Sequence, residues 1–161
     1  MAEPVWMSIK AAKQGDIKSE VTTKGREGML ECLEFNASVI SPYDPASGHS
    51  TGKRMHKPLE VRVRVGKASP LLSGALVTNE TLTTVKLQFY RPDSKGATEQ
   101  FYTIELTNAV LVEQEIYVPM TLDKEQSHLP AMERLAFIFQ KIVYTYTNGG
   151  VTASDDWEAP T

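Results

Sequence analysis

The segment LEVRVRV, residues 59–65, alternates strictly. Leu59, Val61, Val63 and Val65 share one side, and Glu60, Arg62 and Arg64 share the other. Side chains of a strand alternate between its two faces, so this is a half-buried strand with one charged face, as in an antiparallel sheet. The stretch before it, SGHSTGKRMHKP (47–58), looks more like chemistry but does not support it. A phosphate-binding loop needs four residues between its first glycine and the Gly-Lys-Ser/Thr group, and a helix after it. Gly48 and Gly52 are too close for that, Arg54 stands where the hydroxyl should be, and a strand follows. His49 and His56 lie in this loop and His128 far from it, without HxH, HExxH or CxxC spacing, so no metal site is expected. No other cofactor is expected either.

Outward from residues 59–65 the alternation recurs. VWMSI (5–9), MLECLEFNASVI (29–40) and TLTTVKLQFY (81–90) read as strands. The last of these pairs, through the turn RPDSKG, with residues 98–118 as a hairpin bent near Asn108. A polar excursion between Pro119 and Pro130 precedes ERLAFIFQKIVYTYT (133–147). That run is apolar on both faces: Leu135, Phe137, Phe139 and Val143 on one, Ala136, Ile138, Ile142, Tyr144 and Tyr146 on the other. Such a strand needs two covers, its own core and a helix or a neighbouring subunit. One helix is expected, in SPLLSGALVTNE, with Ser69 as N-cap, Pro70 as first helical residue and Leu71, Leu72, Ala75 and Leu76 as the apolar stripe. No repeat or linker interrupts the chain, so residues 1–161 are expected to form one mainly β domain.

Seventeen basic and twenty acidic residues give a formal charge of −3, which argues against general nucleic-acid binding. No apolar run is long enough to span a membrane, and the start MAEPVWMSIK lacks the pattern of a cleaved signal peptide. Cys32, the single cysteine, sits among apolar neighbours and reads as a buried, inert thiol. Asp155 and Asp156 are expected to be solvated, and Trp6 and Trp157 to anchor terminal strands at sheet edges. No G-x-S-x-G elbow or opposed carboxylate pair is present, and no enzymatic activity is expected. Residue chemistry alone therefore stops at a β-barrel or sandwich, with a small-molecule-binding barrel as one open reading.

Five segments, in order, narrow that choice: IKAAKQGDIKSEV, TGKRMHKPLEV, ASPLLSGALVTNETL, LQFYRPDSKGATEQFYTIELTNAVLV and FQKIVYTYTNGGVTASDDW. Together the chain resembles the Hcp family, the inner-tube proteins of bacterial type VI secretion, over about residues 4–158. The resemblance implies an antiparallel β-barrel of two packed sheets with one flanking short α-helix, assembled as hexameric rings that stack into a tube. It implies synthesis in the bacterial cytoplasm, export without a cleaved signal peptide, and spike, sheath, baseplate and secreted effector proteins as partners. Nucleic acid and membrane insertion are not implied. Some members carry C-terminal effector domains; with the chain ending at Thr161, none is expected. The loop 41–57 then corresponds to the family's extended ring-contacting loop, with Lys53, Arg54 and His56 meeting carboxylates on the next ring. Ile138, Ile142 and Tyr144 become subunit-contact or barrel-wall residues. Glu31, Glu34, Asn36 and Ser38 become polar candidates for the lumen, although simple alternation would divide them between two faces.

Overall fold

The computed structural model describes residues 3–157, so the ends of the expected 1–161 domain lie outside the described residues. The chain runs β1 (Val5–Ala11), β2 (Gly15–Ile17), β3 (Leu30–Asn36), β4 (Val39–Ile40), β5 (Met55–His56) and β6 (Leu59–Arg64). Then come α1 (Ala68–Val77), β7 (Leu82–Pro92), β8 (Thr98–Tyr117), β9 (Met132–Ile138), β10 (Lys141–Tyr146) and β11 (Val151–Asp156). The ladder order β8-β7-β1-β3-β6-β9 returns to β8, closing an antiparallel six-stranded barrel. The two packed layers expected of the fold are two sides of one sheet closed on itself. Closure removes the edges that an open sheet would leave unpaired. Strand β2 adds to β1, while β10 and β11 extend the sheet beyond the barrel along the first half of β8.

The twenty-residue β8 makes this possible because it serves two neighbours along one edge. Its first half pairs with β10 and its second half with β9. Thr107 lies opposite Lys141 and Val110 opposite Ile138, so residues 132–146 follow β8 as nearly one ladder, interrupted at Phe139–Gln140. At the interruption both strands exchange faces. In β8 the buried set passes from Ile104 and Leu106 to Ala109 and Leu111; in the partner it passes from Leu135 and Phe137 to Ile142. Asn108, at φ 51°, supplies the turn, and its Nδ2 donates to Gln140 Oε1 at 2.9 Å. Asparagine tolerates this left-handed backbone better than most side chains. The bend near Asn108 is thus where the sequence placed it. The continuous alternation expected for 133–147 is corrected: Ile142 and Tyr144 lie on the core side with Phe137, not on the side of Ile138.

Leu59, Val61 and Val63 of β6 point inward and are fully buried. They belong to one buried core with Met7, Leu72, Leu87, Leu106, Leu135 and Phe137. Burying side chains of this size contributes about 1.5–3 kcal/mol each relative to exposure. Helix α1 lies against β8. It begins one residue before Ser69, so Ser69 is not its N-cap, and Leu71 is exposed rather than part of the stripe. Instead Ser69 Oγ accepts the Gly66 N–H and donates to Glu133 Oε1, while Glu20 accepts the Lys67 N–H where the helix starts. A carboxylate at that end offsets the free N–H groups and the helix dipole. Glu133 is 0 % exposed and takes its second bond from Gln114 Nε2 at 2.9 Å. Trp6 also departs from expectation: it sits on the central strand β1, buried, with the Arg26 guanidinium 5.5 Å from its ring centre.

Candidate functional site

Residues 29–40 do not form one strand; β3 ends at Asn36 and the chain resumes as β4. From there the loop 41–57 is an arm rather than a free loop. Val39 and Ile40 pair with His56 and Met55, and Tyr43 bridges to Ser50. At its tip Asp44 accepts from the Ala46 N–H and Ser47 Oγ, and Gly48 adopts a left-handed φ of 75°. This is turn chemistry written by Asp-Pro-Ala-Ser-Gly. Val39, Ile40, Tyr43 and Met55 leave the arm with exposed apolar side chains, and Lys53 is exposed as well.

Arg54 and His56, also expected to reach outward, turn back onto β11. Arg54 Nε and Nη2 donate to the two oxygens of Asp155 at 2.8 Å each, and Nη2 donates again to the Asp156 carbonyl at 2.8 Å. His56 Nε2 lies 2.6 Å from Asp155 Oδ2, with only 4 % of its side chain exposed. Its ring packs against Phe139 and Trp157, each 5.3 Å away between centres. Arg54 first, then His56, hold the Asp155 carboxyl down to about 2. Asp155 is therefore not the solvated residue its sequence neighbourhood suggested. Pairs made of planar guanidinium and carboxylate are directional as well as strong, and this one joins the arm to β11. The signal available in the sequence was the Arg-x-His spacing on one strand, which places both side chains on one face. Their partner lies 101 residues away from Arg54 and no local pattern names it.

Beside this clamp is a pocket of about 330 Å³ lined by His56, Lys57, Ile138, Phe139, Gln140 and Trp157. Ile138 is 47 % exposed here, whereas Ile142 is 1 % exposed within the core. Tyr144 is half-buried and lines a separate groove with Tyr102, Tyr146 and Val151.

The outer face of β3, β6, β9 and the second half of β8 is charged. Glu34 meets Arg62, Glu31 meets Arg64, and Arg134 joins Glu60, Glu113 and Glu115. Glu31 and Glu34 share this face despite their odd spacing because the ladder slips between Cys32 and Glu34. Leu33 is the extra residue of that bulge and is left 41 % exposed. Asn36 lies opposite Glu60 and, with Ser38, Lys57 and Pro58, lines a shallow depression at the end of the face. The bulge therefore overturns the division that alternation imposed on these polar residues. Among the described residues no group of three or more His, Cys, Asp or Glu side chains is placed to hold a metal ion.

Residues 7–146 match the family described as "Type VI secretion system effector, Hcp". The chain belongs to the Hcp family. It is 38% identical to the "Major exported protein" of Pseudomonas aeruginosa strain PAO1, an alignment covering 99% of this chain and 98% of that one. A crystal structure of an Hcp protein superposes with a TM-score of 0.91 at 29% identity, covering 99% of this chain and 100% of the other. The secreted protein Hcp3 of Pseudomonas aeruginosa gives 0.79 at 34% identity, covering 98% and 100%. Hcp proteins are structural, secreted tube proteins of type VI secretion and not enzymes. Among the described residues no helix is long and apolar enough to cross a membrane.

Proposed function

We propose that this Hcp chain is the ring-forming subunit of a type VI inner tube. Six copies close into a ring, rings stack, and the stack is expelled from the bacterial cytoplasm through the type VI machinery without a cleaved signal peptide. One observation carries the reading: the near full-length likeness in fold to an Hcp protein, at a TM-score of 0.91. Two surface features support it. The closed barrel presents a broad ion-paired face, in which Glu31, Asn36 and Ser38 lie with Arg62, Arg64 and Arg134. This face is the lumen wall, hydrophilic enough to hold a small effector reversibly by many weak contacts. The arm, with exposed Lys53 and its exposed apolar side chains, reaches the next ring, and exposed Ile138 lies at a contact between subunits. Ile142 is buried in the core from β10, the strand that extends the sheet beyond the barrel. Head-to-tail contacts of one kind close into a ring when their rotation sums to a full turn. Spike, sheath and baseplate proteins are the remaining partners.

Light scattering after gel filtration, with negative-stain images of the same peak, tests the assembly. The expected particle is a hexamer with an open centre. A compact monomer over a wide concentration range refutes ring formation and brings the small-molecule barrel forward.

A further inference from the structure

The arm's own ladder consists of two register pairs and one bridge, and the backbone bonds around its tip shape the turn without tying the arm to the barrel. What holds it from outside is β11. Three donations from Arg54 and the contact from His56 converge on Asp155 and the neighbouring Asp156 carbonyl. With 20 % of its side chain exposed, Arg54 commits the Nε–Nη2 edge of its guanidinium to β11. The aromatic walls Phe139 and Trp157 keep His56 in place beside it.

We propose that Asp155 is the positioning residue of the arm: it draws Arg54 and His56 onto β11, so that Arg54 governs stacking through its own chain and not by contact with the next ring. The chemistry presented to a second copy is then the arm's exposed apolar side chains, Val39, Ile40, Tyr43 and Met55, with Lys53. The proposal rests on the arm being the ring-to-ring contact, but the clamp can be tested apart from it.

The experiment compares the parent with Asp155→Asn, Arg54→Met and the double variant, and with Asp155→Glu as the conservative replacement. Hydrogen exchange of the amides in residues 39–57 reports the arm's pose. Light scattering and negative-stain images report ring stacking. Asp155→Asn should speed arm exchange about tenfold, the ratio that corresponds to losing one good charge-assisted pair. Arg54→Met should do the same, and the double variant should add nothing further. Stacking should fall equally in all three while the rings persist, and Asp155→Glu should recover part of it. Unchanged arm exchange in Asp155→Asn overturns the proposal. So does loss of stacking in Arg54→Met alone, which would mean that Arg54 touches the next ring directly. If the parent forms no stacked rings, the tube reading fails, and arm exchange alone then sustains or overturns the clamp.

Discussion

Removing the Ser69 hydroxyl tests how helix α1 is fastened to the barrel. Glu133 is fully buried, and its carboxyl receives Ser69 Oγ–H at 2.9 Å and Gln114 Nε2–H at 2.9 Å. Ser69→Ala takes away the first of these donors and also deprives the Gly66 N–H of its acceptor. Orphaning a buried polar group costs about 1–3 kcal/mol, and Glu133, at 0 % exposure, does not reach bulk solvent. For a chain of this length 1 kcal/mol moves the unfolding midpoint by about 2–4 °C, so a loss of about 2 kcal/mol lowers Tm by about 4–8 °C. Glu133→Gln should cost less. Its amide can donate to Ser69 Oγ while its carbonyl still accepts from Gln114. The assay is thermal unfolding by far-UV circular dichroism at one protein concentration, because assembly shifts Tm by mass action. A Ser69→Ala midpoint within about 1 °C of the parent, too small for any lost buried hydrogen bond, refutes the account. So does a Glu133→Gln variant less stable than Ser69→Ala.

Four further outcomes follow from the geometry. Phe137→Ala, at a residue with no exposure, should cost about 3–5 kcal/mol through the cavity it leaves, read from the urea midpoint at unchanged slope. Asn108→Val forces a β-branched side chain to φ 51° and should cost about 1–3 kcal/mol, whereas Asn108→Gly should cost less; equal losses would show that the turn is not what matters. Burial pushes the Cys32 thiol up to about 12, so a thiol reagent at pH 8 should label unfolded but not native protein, and rapid native labelling would contradict its burial. Asp155 is held down to about 2 by Arg54 and then His56 against an ordinary value of 3.8. A depressed carboxyl stabilises the fold above its unfolded pKa and loses that contribution as pH falls through the folded one. Arm stability attributable to Asp155 should thus be constant down to about pH 4 and fade toward 2, and a carboxyl ¹³C midpoint near 4 would contradict the clamp.

The β character was legible because one side of the barrel is dry and the other wet, which forces period two on LEVRVRV and on the 81–118 hairpin. The ordered motifs of the Hcp family extended that to a barrel with one helix. Alternation failed wherever a strand stepped out of register. The slip at Leu33 gathers Glu31 and Glu34 on one face, and the joint at Asn108 and Gln140 turns Ile142 inward. Such irregularities depend on what the partner strand does, which no single segment records. Ser69 was misread for a related reason. A serine before a proline is a good N-cap locally, but here the buried Glu133, sixty-four residues on, claims its hydroxyl. The clamp was half visible. Arg54 and His56 stood out as basic residues of one loop, but a long-range carboxylate meets them both.

That separation along the chain has a consequence for the order of events during synthesis. Asp155 is made 101 residues after Arg54, about 5–20 s later at ordinary bacterial or eukaryotic translation rates. Throughout that interval a nascent arm lacks the carboxyl that orients it, whatever the state of β4 and β5. A growing chain on the ribosome therefore cannot offer a set arm to finished copies nearby. Only translation through β11 supplies the carboxylate on which Arg54 and His56 converge.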